Sequence, residues 1–118
     1  MRHQNRQDRT LSAAVSEEVA AAQSRKQLLR QLGSELDSEY ARCQNLNRQV
    51  ALYQDFILIQ AEDQAAASLA AYQSEAGDFS DVMRGYIDEL NARLDHVRLQ
   101  VDRAQSYAVL ANLGGLPR

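Results

Sequence analysis

YQSEAGDFSDVM, residues Tyr72–Met83, interrupts an otherwise very long helical pattern. Gly77 can adopt the left-handed conformation that commonly follows the last turn of a helix. Asp78 offers a side-chain oxygen to the free amides of a new helix, and Asp81 adds negative charge in the first turn of that helix. We therefore predict a tight reversal at residues 77–78 and an antiparallel αα-hairpin. The alternative is one continuous helix that contains a glycine.

The first helix is predicted to span about residues 11–76. This stretch contains no proline, and helical periodicity returns in every window. Apolar residues fall seven apart at Leu36, Cys43, Val50 and Ile57, with Leu32, Leu46 and Tyr53 at the intervening position of the repeat. That spacing is typical of a coiled-coil seam. Between residues 61 and 71 the seam carries small side chains, which predicts a close approach of a neighbouring helix just before the reversal.

The second helix is predicted at about residues 79–113. One set of its apolar residues alternates spacings of four and three, at Met83, Ile87, Leu90, Leu94, Val97, Val101, Ala104, Ala108 and Ala111. We interpret this set as the seam of the second helix. A second, partial stripe runs through Phe79, Val82, Tyr86, Leu99, Val109 and Leu110, and it indicates neighbours on more than one side. Gly114, Gly115 and Pro117 are a helix stop signal.

The two predicted helices differ in length. A reversal at residues 77–78 brings the second helix back only to about residue 42, with Ile57 level with Val97. Four leucines, Leu28, Leu29, Leu32 and Leu36, then have no partner in their own chain. Because burying such a side chain is worth about 1.5–3 kcal/mol, we expect this chain to pack against other copies or against a missing part of a longer protein.

Residues 1–10, MRHQNRQDRT, have no periodic apolar residues. We predict a flexible N-terminus there, with a basic arm as the alternative, and a single α-hairpin domain at residues 11–118. The start is basic but is not followed by an apolar region, so it does not indicate a signal peptide. On that basis the chain as written is expected to be soluble, and a cytoplasmic location stays open.

Composition excludes several classes of function. The chain of 118 residues has one proline, five glycines and no tryptophan, which is typical of long helices. Its net charge of -3 gives no general attraction to nucleic acid. The apolar run Phe56–Ile59 has four residues, far short of a transmembrane helix, so no direct membrane insertion is expected.

The sequence also argues against catalysis. His3 and His96 are far apart, which argues against a zinc site. Cys43 is the single cysteine and has no candidate base, so a small core residue is the favoured interpretation. No phosphate-binding loop, nucleophile elbow or dinucleotide turn occurs. We expect no enzyme and no cofactor. Carboxylates that gather toward the tip are expected to be a solvated helix face with N-terminal capping, rather than an ion or partner site: Glu62, Asp63, Glu75, Asp78, Asp81, Asp88 and Glu89.

The segment LAAYQSEAGDFSDVMRGYIDELNARLDHVRLQVDRAQSYAVLANLGG resembles the last periplasmic hairpin of TolC-like outer-membrane efflux proteins. That hairpin reads as an A-x-Y-x-x-G segment, a D-F-L-D-V-L-like tip, a regular return helix and a closing L-G-G. The return helix is most similar to the heavy-metal branch, which serves cobalt-zinc-cadmium and copper exporters. The resemblance covers about Leu52–Gly115. The family glycine falls three residues after the tyrosine, where this chain has Glu75, and Gly77 follows two residues later.

The resemblance implies a homotrimer whose hairpins line a periplasmic α-barrel, joined through an adaptor to an inner-membrane pump. It places the docking tip at Glu75, Gly77, Asp78, Phe79, Asp81 and Arg84. Asp81 matches an acidic tip position, whereas a second acidic position of the family is Arg84 here. The implied location is the outer membrane and periplasm. Without a strand pattern or a first repeat, the chain is expected to be a fragment or truncated product of such a channel.

We therefore expect an all-α hairpin that serves export in a full-length context, with metal ions as the cargo that the heavy-metal branch suggests. A stand-alone coiled-coil scaffold that oligomerises is the alternative from another class. Neighbouring genes for an adaptor and a pump would favour export. The coiled-coil hairpin of a periplasmic adaptor is a third alternative, and flanking lipoyl-like strand repeats would indicate it.

Overall fold

The structure, a computed structural model, describes residues 2–114. It contains α1 (Arg2–Leu52), a π-helical turn (Tyr53–Ile57), α2 (Leu58–Gln73) and α3 (Phe79–Asn112). No strand occurs in these residues, and residues 74–78 form the turn before α3. The predicted all-α helical hairpin is therefore confirmed, and the alternative of one continuous helix is wrong.

The first helix begins earlier than predicted. It starts at Arg2 rather than at residue 11, and Thr10 Oγ1 donates a hydrogen bond of 2.8 Å to the Arg6 carbonyl within it. The predicted boundary depended on apolar periodicity, which reports packing. Residues 2–10 lack that signal, but they also lack Pro and Gly and include Arg and Gln, which favour helix by backbone propensity alone.

The chain divides into two units, the first ending at Ser38 and the second beginning at Glu39. In the first unit every described side chain from Arg2 to Glu35 is exposed, and Leu36 is half-buried. Leu28 and Leu29 are 55% and 67% exposed, and Leu32 is 42% exposed. This part of α1 therefore presents large apolar side chains to solvent.

The second unit contains the hairpin. Tyr107 Oη on α3 donates a hydrogen bond of 3.2 Å to Asn47 Oδ1 on α1. This bond brings the C-terminal part of α3 beside residue 47, in agreement with the prediction that the second helix returns to about residue 42. Nearer the tip, a Cβ on Gly85 would lie 3.2 Å from Ala65 Cα. The predicted close approach along the small residues of α2 is confirmed there.

A π-helical turn adjusts the face of the first helix that packs on α3. Its Leu58 N–H donates to the Tyr53 carbonyl, which adds one residue to a single turn. The buried and half-buried positions run through Cys43, Leu46, Val50, Tyr53, Ile57, Ala61, Ala65 and Ser68. Three consecutive steps of four after Tyr53 replace the regular alternation of three and four. The extra residue in the π turn thus keeps Ala65 facing α3.

The second helix ends at Asn112, one residue before the predicted end. Gly114 has φ +76°, and its N–H donates to the Ala111 carbonyl at 3.1 Å. Left-handed glycine after the last turn is the predicted stop. Gly115 and Pro117, the rest of that signal, lie outside the described residues.

Candidate functional site

The tip of the hairpin is a Schellman motif at the end of α2. The Ala76 N–H donates to the Ala71 carbonyl at 2.8 Å, and the Glu75 N–H donates to the Tyr72 carbonyl at 3.1 Å. Ser74 is the C-cap of α2, and the next residue, Glu75, has φ +63°. These two bonds satisfy carbonyls that the helix end leaves without helical partners.

The left-handed residue is therefore Glu75, and the prediction that Gly77 plays this part is wrong. The sequence signal misled because glycine is the usual residue at such a position, and the glycine here lies two residues later. Gly77 has a different role. A Cβ at Gly77 would lie 3.1 Å from Ala71 Cβ and 3.4 Å from the Tyr72 nitrogen, so the lack of a side chain lets the turn fold back on α2.

Asp78 is the N-cap of α3, as predicted, but it does not cap with its side chain. Its backbone is extended, with φ −95° and ψ 150°. Its carbonyl accepts bonds from the Asp81 N–H at 3.1 Å and the Val82 N–H at 3.4 Å, and its carboxylate makes no cap hydrogen bond. Asp81 lies in the first turn of α3, where negative charge is favoured by the helix dipole.

An aromatic pair closes the reversal. The rings of Tyr72 and Phe79 meet edge to face, with centroids 5.7 Å apart and planes at 60°. Such a pair stabilises the turn beyond the area it buries. Phe79 nevertheless remains 58% exposed and Tyr72 45% exposed. The tip thus has an ordered backbone and an aromatic surface that solvent can reach.

The predicted tip residues come together at this end of the hairpin. Glu75, Asp78, Phe79, Asp81 and Arg84 are exposed, and Gly77 is half-buried. A shallow groove beside them is lined by Gly77, Asp81, Arg84, Asp88 and small residues of α2. The exposed surface therefore combines carboxylates, one guanidinium and an aromatic edge.

The seam residues of the first helix lie where they were predicted. Cys43 is 4% exposed and Val50 is 2% exposed, and Leu46 is buried between them. Ile57 and Leu36 are half-buried. Cys43 is a free thiol inside the hairpin. Its position supports the interpretation of a small core residue.

The predicted seam of α3 faces the wrong way for the hairpin. Its large apolar members are exposed, at Met83 46%, Ile87 52%, Leu90 57%, Leu94 45%, Val97 53% and Val101 50%. We call these six residues the outer stripe. The prediction that they pack on the first helix is wrong. A stripe with regular spacing shows that one face of a helix is apolar, but it does not show which helix covers that face.

The face of α3 that does pack on the first helix carries smaller and more polar residues. A series of its buried and half-buried positions, continued by the C-cap residue Leu113, alternates spacings of three and four, with half-buried Asp95 and Asp102 beside it: Val82, Gly85, Glu89, Ala92, His96, Leu99, Arg103, Ser106, Leu110 and Leu113. At 100° per residue, this inner stripe and the outer stripe lie on nearly opposite faces. Val82, Leu99 and Leu110 belong to the partial second stripe found in the sequence, so that signal was available but was the weaker of the two.

Small residues explain the choice of the inner face. Gly85 and Ala92 let the backbones approach, whereas the bulky outer stripe would hold them apart. Ser106 is fully buried, and its Oγ has no hydrogen-bond partner among the described residues. The atom His96 Nε2 is also buried and has no hydrogen-bond partner among the described residues. Close packing, rather than the number of large apolar side chains, therefore distinguishes the face of α3 that contacts the first helix.

Within residues 2–114, the ion pairs do not join the first helix to α3. The ion pairs of residues 2–114 join residues three or four apart on one helix: Arg42–Glu39, Arg93–Glu89 and Arg98–Asp95. Arg93 Nη2 lies 2.8 Å from Glu89 Oε1, and this hydrogen bond is the main cause of the raised pKa of Arg93. Such exposed pairs support the helix locally and contribute little to the hairpin.

Two further findings describe the chemistry that the described residues allow. His, Cys, Asp and Glu side chains of residues 2–114 do not assemble in groups of three that could hold a metal ion. Over the same residues, no helix has the length and hydropathy to cross a membrane. Comparison of the chain with models of known protein families, with curated proteins and with solved structures finds no match.

Proposed function

We propose that this chain is a structural hairpin of an export assembly, similar to the periplasmic hairpin of a TolC-like efflux channel of the heavy-metal branch. In this role it packs side by side with other helices and presents its tip to a partner. The outer stripe of α3 carries the proposal. Six large apolar residues in strict spacing lie exposed on the face that the hairpin leaves uncovered.

An outer stripe of this kind suits a wall of neighbouring helices. Exposed apolar surface of this extent marks a protein–protein contact, because leaving it in water costs free energy. The inner stripe holds one neighbour, the first helix of the same chain, and the outer stripe needs a second. A helix with a neighbour on each side is the arrangement expected in the wall of a barrel. In the TolC-like family, three copies of the protein form that barrel.

The backbone of the tip gives separate support. The TolC-like family places glycine three residues after its tyrosine, and this chain has Glu75 there. Glu75 nonetheless has φ +63°, the conformation for which glycine is preferred. Glu75 therefore keeps the backbone conformation that a glycine would favour, although the residue type departs from the family both here and at Arg84. By the same resemblance, the tip docks to a periplasmic adaptor that leads to an inner-membrane pump.

Site-specific crosslinking tests the docking role. A photoreactive residue is placed at Asp81, and a matched one at Arg98, which is exposed on α3 far from the tip. Each variant is incubated with the purified periplasmic adaptor of a heavy-metal exporter. We expect adducts from position 81 and not from position 98. Equal labelling at both positions, or adducts at neither, would contradict docking by the tip.

A stand-alone oligomerising scaffold is the second candidate. It is favoured by the first unit, since residues 2–38 form helix outside the stretch that resembles the efflux proteins. If the chain self-associates in sedimentation experiments and yields no adaptor adduct, the scaffold is the better account.

A further inference from the structure

The exposed first unit has a seam of its own. The positions that precede Leu36 on the same heptad are Leu11, Val15, Glu18, Ala22, Arg25, Leu29 and Leu32. Their spacings alternate four and three, and every one of these side chains is exposed. Leu11 is 66% exposed and Leu29 is 67% exposed. A single helix in water is not stabilised by packing of this stripe. We therefore expect a partner helix to cover the stripe.

Two charged residues on this stripe identify the partner. Glu18 and Arg25 occupy seam positions, seven residues apart on their own helix and therefore too distant to pair directly. In a second copy that runs antiparallel, with a two-fold axis between Ala21 and Ala22, Glu18 of each chain meets Arg25 of the other. The same register sets Leu11 opposite Leu32. A parallel copy would instead set Glu18 against Glu18 and Arg25 against Arg25.

The charges beside the stripe follow the same symmetry. Glu17 is level with Lys26 along the helix axis, next to the contact of Glu18 with Arg25. Farther out, Arg6 is level with Asp37, whereas Asp8 is level with Glu35. In this register the charges of residues 17–18 are therefore opposite in sign to those of residues 25–26. Complementary charges of this kind fix the orientation and register of coiled-coil helices.

We propose that residues 2–38 are a dimerisation segment whose partner is the same segment of a second copy, antiparallel about Ala21 and Ala22. This contact goes beyond the proposed export role, and it does not involve the outer stripe or the tip. The interface is isologous, since the same surface serves both chains. Polar residues on the seam give it one register rather than several.

Charge reversal tests the pairing in the full chain. Glu18→Arg sets two guanidinium groups against each other at each contact, and Arg25→Glu sets two carboxylates against each other there. We expect each single variant to weaken dimerisation by at least about tenfold, measured as the dissociation constant in sedimentation equilibrium. An equimolar mixture of the two, and the double variant, should both recover the parent affinity. Asp55→Lys with Asp63→Lys, two exposed reversals in the hairpin unit, is the control and should leave the constant unchanged.

Disulfide trapping tests the orientation independently of any association through the outer stripe. In a Cys43→Ser background, chains with Leu11→Cys and chains with Leu32→Cys are mixed and oxidised. The antiparallel register predicts the mixed 11–32 disulfide in preference to the 11–11 and 32–32 products. Dominant 11–11 product would indicate a parallel dimer. Monomeric chains, or charge variants that bind as tightly as the parent, would indicate a different partner for the segment, and any of these results would overturn the proposal.

Discussion

Glu75 holds the one left-handed conformation of a residue other than glycine in the described chain. For an L-residue with a Cβ this conformation costs about 1–2 kcal/mol, and glycine removes most of that cost but adds entropy to the unfolded chain. We therefore expect Glu75→Gly to raise the free energy of unfolding by about 0.5–1 kcal/mol in chemical denaturation. Glu75→Ala, which removes the carboxylate and keeps the Cβ, should give no such gain. A lower free energy of unfolding for Glu75→Gly would contradict the left-handed conformation of residue 75 and with it the Schellman motif.

Gly85 tests the close approach of the two helices. A Cβ there would lie 3.2 Å from the Ala65 Cα, a backbone atom that cannot move without moving α2. We expect Gly85→Ala to lower the free energy of unfolding by about 1–3 kcal/mol. Gly33→Ala is the matched control, since Gly33 is also helical and a Cβ there would meet nothing within 4 Å. That variant should be stabilised by about 0.5–1 kcal/mol. Two variants of equal stability would show that the helices are farther apart than described.

At the scale of elements, the two faces of α3 should respond differently to a buried-charge test. Leu110 is 1% exposed, whereas Leu94 is 45% exposed. We expect Leu110→Asp to lower the free energy of unfolding by about 3–5 kcal/mol, because an unpaired charge enters the hairpin. Leu94→Asp should keep the circular dichroism of the hairpin at a concentration where the chain is monomeric, and weaken association at higher concentration. Equal loss of helicity in both variants would reverse the assignment of faces.

The sequence predicted the elements better than their faces. The reversal near Gly77 and the N-cap at Asp78 follow from local physics, and the structure places both within a few residues, whereas the first helix starts at Arg2 rather than at residue 11. The face of α3 does not follow, because Met83 and Leu94 are larger and more regular than Gly85 and Ala92. A stripe of large apolar side chains indicates burial against some partner, whereas small residues decide which helices approach closely. The π turn at Tyr53–Ile57 has no signal in the residue types around it.

At the scale of the whole molecule, three surfaces remain on the outside: the tip, the outer stripe of α3 and the stripe of residues 11–32. Each has its own proposed partner, namely an adaptor protein, a neighbouring helix and a second copy. Because they are separate surfaces, a substitution at one should leave binding at the others intact. The hairpin itself is the common requirement, since the tip and the outer stripe exist only if the chain reverses at residues 74–78.

A distance across the hairpin tests that requirement most directly. Spin labels are attached at Arg48→Cys and Gln105→Cys, both exposed positions, in a Cys43→Ser background. The labelled chain is diluted with an excess of unlabelled chain, so that pulsed dipolar spectroscopy reports distances within one molecule. Because packed helices lie about 8–10 Å apart, we expect a label distance below about 40 Å. A distance near 85 Å, about the span of 57 residues in one helix, would show that the chain does not reverse and would contradict the account.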